Sequence, residues 1–292
     1  MGPGDQDYAT AVATVMAAQE LLPAQPSDLT AILADPDEFA ALLRPRWDPA
    51  PASELVRYLR ENLDPGRIDW WHKVIDQVIQ ERIAVPILAG TPQYPARLAR
   101  CWDAPPVLFA TAPIPPGPAV AIVGSRDTVP ELAASARKLA AEVAAAGVVV
   151  VSGLAAGIDA AAHRGALEAG GQTVAVMGTG IRHIYPPQNT DLADEIRRRG
   201  VLVSQFAPDA PRTRTTFLRR NHVIAGLADV SVVIDGQQRS GSRHEVEQAI
   251  TYGRRVLMWA PALVGQRWAR QLAAAGSAAF VSSGREVLAA LN

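Results

Sequence analysis

Four stretches of the chain set glycine beside small hydroxyl or charged residues. They are Gly124-Ser125-Arg126; Ser152-Gly153-Leu154-Ala155-Ala156-Gly157-Ile158-Asp159; Gly178-Thr179-Gly180; and Asp235-Gly236 followed by Ser240-Gly241-Ser242. Glycine lets the backbone turn tightly and approach a ligand, and small hydroxyls beside a helix start supply donors for an anion. One such loop is an ordinary tight turn; four together point to phosphate binding. A fifth stretch, Phe217 to Leu227, carries Arg219, Arg220 and Asn221 ahead of an apolar run. Arginines at a helix start oppose the macrodipole, so a phosphate contact accounts for them better than helix stability does.

Other chemistries find less support. There is no G-x-x-x-x-G-K-[ST], no G-x-G-x-x-G spacing after the first strand and no G-x-S-x-G elbow. The five histidines and the single cysteine, Cys101, show no metal-ligand spacing and form no disulfide pattern, so neither a metal nor a cofactor is expected.

These stretches must be held by regular elements. Near-continuous apolar runs at 119–123, 148–151, 173–177, 201–204, 230–234, 256–259 and 278–281 read as strands, and amphipathic segments at 132–146, 158–169, 192–199, 216–227 and 244–252 read as the helices between them. Apolar strands alternating with helices predict a doubly wound α/β fold with a parallel sheet, in which ligands bind beyond the carboxyl ends of the strands. Each glycine stretch follows such a strand. Residues 1–84 instead show short helical runs punctuated by prolines, a small all-helical domain. Residues 85–118 hold two short entry strands, 85–88 and 107–110, and a Pro-rich linker; they open a second domain, 85–292.

The formal net charge of -1 conceals a split. By count, residues 1–118 carry 9 basic and 15 acidic side chains, 119–200 carry 8 of each, and 201–292 carry 11 and 6, so positive potential gathers in the last third. Only Lys73 and Lys138 are lysines. In a chain so biased to arginine, any one arginine is weak evidence of a site. The acidic N-terminus lacks a signal-peptide pattern and no apolar run approaches 18 residues, which predicts a cytoplasmic protein outside the membrane.

The ordered series Tyr94-Pro95-Ala96-Arg97-Leu98, Pro105-Pro106-Val107-Leu108-Phe109, Val123-Gly124-Ser125-Arg126, Ser152-Gly153-Leu154, Gly157-Ile158-Asp159 with His163, Gly178-Thr179-Gly180, Tyr185-Pro186, Arg220-Asn221 and Ser240-Gly241-Ser242 resembles the DNA-processing protein A (DprA, Smf) family. The resemblance implies an extended Rossmann-like fold that binds single-stranded DNA, forms a homodimer, passes DNA to the recombinase RecA and carries no catalysis or cofactor. Its implied DNA-binding edge comprises Gly124, Ser125, Arg126, Gly153, Arg220, Asn221, Gly241 and Ser242; from the glycine stretches and their basic neighbours, Ser152, Gly157, Gly178, Arg219, Ser240 and Arg243 are expected to join it in binding DNA or phosphate. The chain departs from the family pattern at Ala156, Leu218, His222 and Arg243-His244-Glu245, and the residues after its last predicted helix are too few for the winged-helix domain that many members carry.

A competing reading rests on Gly241-Ser242-Arg243-His244-Glu245, which is similar to part of the motif of LOG-type nucleotide phosphoribohydrolases. There Glu245 would assist cleavage of a nucleoside monophosphate. A third reading is a nucleotide-sensing protein using the same edge.

Overall fold

A computed structural model describes residues 3–22, 26–48, 51–236 and 241–291. It divides into two compact units, Met1–Phe109 and Ala110–Asn292.

The first unit contains α1 (Pro3–Leu21), α2 (Pro26–Ala34), α3 (Pro36–Leu43), α4 (Glu54–Asn62), α5 (Pro65–Gln80), β1 (Val85–Leu88), α6 (Ala96–Ala99) and β2 (Val107–Ala110). Several of these prolines start helices: Pro26 opens α2, and Pro36 and Pro65 follow Asp35 and Asp64, whose carboxylates accept from the first backbone amides. Val12, Val15, Leu59, Ile75 and Val78 are fully buried and form the apolar stripes anticipated from helical spacing.

The second unit runs β3 (Ala119–Val123), α7 (Pro130–Ala145), β4 (Val149–Ser152), α8 (Ile158–Glu168), β5 (Thr173–Val176), a single 3₁₀ turn (Pro187–Asn189), α9 (Thr190–Arg199), β6 (Val201–Ser204), α10 (Arg214–Leu227), β7 (Val230–Val233), α11 (Gly241–Thr251), β8 (Arg255–Trp259), α12 (Ala260–Leu263), α13 (Arg267–Ala274), β9 (Ala279–Val281) and α14 (Gly284–Ala289). Its strands lie in the order β6-β5-β4-β3-β7-β8-β9. Every neighbouring pair from β6 to β9 is parallel. This is the predicted doubly wound sheet. The chain leaves β3 in one direction through β4, β5 and β6, then returns to the other side of β3 with β7. The strand order therefore reverses at β3 and β7, where such sheets open a crevice at their carboxyl ends.

The central strands are buried along their whole length, as expected of strands covered on both faces. Their few polar side chains are satisfied: Ser152 donates to Ile122 O at 2.6 Å, Thr173 to Val150 O at 2.9 Å and Ser204 to Thr179 O at 2.7 Å. Among the described residues no helix is long and apolar enough to cross a membrane.

Two boundaries near the site differ from the sequence reading. Helix α10 begins at Arg214 rather than Thr216, because Thr213 and Thr216 form a reciprocal capping box. Arg219 and Arg220 therefore lie in its second turn, away from the exposed amides of the first, and the dipole argument for them does not apply. Helix α11 begins at Gly241 rather than His244, so Gly241, Ser242 and Arg243 form a first helical turn instead of a loop.

Candidate nucleic-acid interface

A cavity of about 940 Å³ opens at the carboxyl edge of the second unit's sheet. Residues following β3, β4 and β7 and one face of α10 build it. Because α10 starts at Arg214, residues 214, 217, 218, 221 and 224 recur at helical spacing, and all five line the cavity. Of the residues singled out in the sequence, Gly124, Ser125, Arg126, Arg220, Asn221, Gly241, Ser242 and Glu245 line it as well.

The others lie elsewhere. Ser152 is buried in β4. Gly157 turns into α8 with φ +75°, where a Cβ would stand 2.3 Å from Ser125 O. Gly178 packs under the Phe217 ring. Arg219 is exposed with its guanidinium 5.6 Å from the Phe206 ring centroid, and Arg243 pairs with Glu247 at 3.1 Å. Ser240 lies outside the described residues. Asp159, Tyr185, Arg212, Arg214 and Phe217 line the cavity but were not singled out as site residues. The Thr213-x-x-Thr216 capping pattern is the signal that would have placed Arg214 and Phe217 there.

Arg220 is the buried centre of this wall, only 4% exposed. One Nη1 hydrogen goes to Val176 O at 2.9 Å and another to Gly153 O, while Nε donates to Asn221 Oδ1 at 3.1 Å. It thus ties the ends of β4 and β5 to α10. Gly153 makes room for it, since a Cβ there would stand 1.9 Å from Nη1. Burial pulls the guanidinium down to about 10, with Asp159 working in the opposite direction, so Arg220 stays charged at neutral pH.

The carboxyls of the floor respond to the same burial. Asp159 is pushed up by desolvation, against the pull of Arg220 and an amide of Ala155. Glu245 is pushed up to about 7 by burial, against a hydrogen bond from Ser231 Oγ at 2.7 Å. The loop amide of Ser125 is spent on Asp235 Oδ1 at 2.5 Å, which ties the end of β3 to the end of β7. An anion here would therefore meet arginines before it met that amide.

Arg126 and Arg212 are exposed and seated on aromatic faces. Arg126 lies 4.8 Å from the Phe217 ring centroid and Arg212 4.7 Å from that of Tyr185, to whose hydroxyl it also donates at 3.1 Å. Tyr185 and Phe217 pack against each other at 5.6 Å. With Arg214 the outer rim carries three arginines, each free of any ion pair among the described residues. Among those residues no group of three or more His, Cys, Asp or Glu could hold a metal.

The model of a family described as DNA recombination-mediator protein A matches residues 86–292. The chain belongs to that family. Its DprA relatives include the DNA processing protein DprA of Bacillus subtilis, 35% identical over 175 residues, which are 59% of this chain and 58% of that protein. The DprA of Streptococcus pneumoniae is 39% identical over 165 residues, 56% of this chain and 58% of that one. The matches span less than two thirds of these relatives' length. The solved structure of the pneumococcal DprA superposes with a TM-score of 0.66 at 27% identity, covering 96% of this chain and 92% of that one. The DprA of Helicobacter pylori, whose structure was described for its single-stranded DNA binding mode, superposes with a TM-score of 0.60 at 26% identity, covering 68% and 92%. The DprA fold thus agrees with the parallel, doubly wound sheet described above.

Proposed function

We propose that the chain binds single-stranded DNA along the carboxyl edge of its parallel sheet and passes it to a recombinase of the RecA type, without a chemical step of its own. The observation that carries this reading is the rim of Arg126, Arg212 and Arg214, two of them held against aromatic rings beside a crevice at the strand-order reversal. Guanidinium groups neutralise phosphates, and Phe217 and Tyr185 hold two of them in place. The Helicobacter pylori relative's described DNA binding supports the choice of single strands. A homodimer working in the cytoplasm completes the proposal.

Fluorescence anisotropy with a labelled oligonucleotide tests it. Affinity falls steeply with salt, and Arg126→Ala, Arg212→Ala and Arg214→Ala each reduce the log-log salt slope by about 0.7. Binding that does not depend on salt, or a slope untouched by all three substitutions together, refutes the assignment.

A further inference from the structure

The cavity is polarised. Its rim bears Arg126, Arg212 and Arg214, while the buried wall pairs one cation, Arg220, with two carboxyls, Asp159 and Glu245. Glu245 is 1% exposed, and Ser231 Oγ donates to its Oε1. Among the described residues its Oε2 has no hydrogen-bond partner. A buried acceptor without a donor is costly and marks a place where a ligand group completes the structure.

A phosphate does not suit that position, because Asp159 and Glu245 would repel it. A neutral donor does. We infer that the cavity holds an unpaired base whose exocyclic amine donates to the Glu245 carboxyl, while the strand's phosphates stay on the arginine rim. Resting on the DNA-binding reading above, the inference adds selectivity to it. Guanine, adenine and cytosine each carry such an amine; thymine and hypoxanthine do not, and thymine presents carbonyl oxygens on either side of its only edge donor. Carboxylates accept from exocyclic amines in direct base readout. The groups that face Glu245 are Ser231 from β7, Asp159 from α8 and Arg220 from α10. With its carboxyl pushed up to about 7, Glu245 is an acceptor at pH 8.

The test compares two oligonucleotides that differ only in the exocyclic amine of their purines: a thymidine 12-mer with deoxyguanosine at alternate positions, and the same strand with deoxyinosine in place of each deoxyguanosine. At pH 8 the guanine strand binds the full chain about fivefold tighter or more. Glu245→Gln, which keeps the side chain's shape and an acceptor for Ser231, brings the ratio towards one; a thermal melt confirms that this variant folds. Equal affinity of the wild type for both strands overturns the inference while leaving the DNA-binding reading intact, as does a ratio unchanged in Glu245→Gln. Absence of salt-sensitive binding to either strand overturns both.

Discussion

Gly153→Ala probes how Arg220 is held. Gly153 does not adopt a positive φ, so alanine is compatible with the backbone there. The obstacle is the side chain above it: an added Cβ would stand 1.9 Å from Arg220 Nη1 and 2.3 Å from its Cζ. Since Arg220 is buried, its guanidinium cannot step aside without giving up its bonds to Gly153 O, Val176 O and Asn221 Oδ1. Asp159 then remains buried without the cation that most favours its charge. Stranding a buried guanidinium from its three acceptors costs on the order of 3 kcal/mol, which lowers Tm on the order of 10 °C for a unit of this size. Thermal denaturation followed by circular dichroism measures it. The mechanism makes a sharper demand through the double variant. In an Arg220→Ala background the steric partner is gone, and Gly153→Ala should cost less than about 0.5 kcal/mol. Losses that simply add would show that Gly153 acts on something other than Arg220.

Two further outcomes follow from the same wall. Thr213→Ala removes the side chain that caps α10 and loosens the turn presenting Arg214, costing about 1 kcal/mol in a urea titration. Between the ordinary glutamate value and about 7 the folded chain holds a proton on Glu245 that the unfolded chain has released, so this residue's contribution is greatest in acid and is lost as pH rises through 7. Glu245→Gln should therefore flatten the wild type's fall in stability between pH 5 and pH 8 by an amount on the order of 3 kcal/mol, and an unchanged profile would exclude the buried carboxyl as its source.

Strand and helix alternation beyond residue 118 was legible because each apolar run carries its own period, and a parallel sheet covered on both faces leaves that pattern in every strand. The positions of Gly124 and Gly153 directly after strands were legible for the same reason. Periodicity in the chain was therefore enough to give the class of fold and the edge on which a site must lie. The tertiary structure decided which residues meet there. Arg220 reads in sequence as a surface phosphate clamp, yet folding buries it against the carbonyls of Gly153 and Val176, 67 and 44 residues away. The exposed arginines of the rim come instead from Arg126, Arg212 and Arg214, two of them placed by Phe217 and Tyr185. Glu245 enters the sequence reading only through a short Gly-Ser-x-x-Glu motif, and only packing against Ser231 and Asp159 turns it into a buried carboxyl whose Oε2 has no donor among the described residues. Local periodicity is written in neighbouring residues; burial and charge pairing depend on segments far apart in the chain, and exist only once the sheet has brought them together.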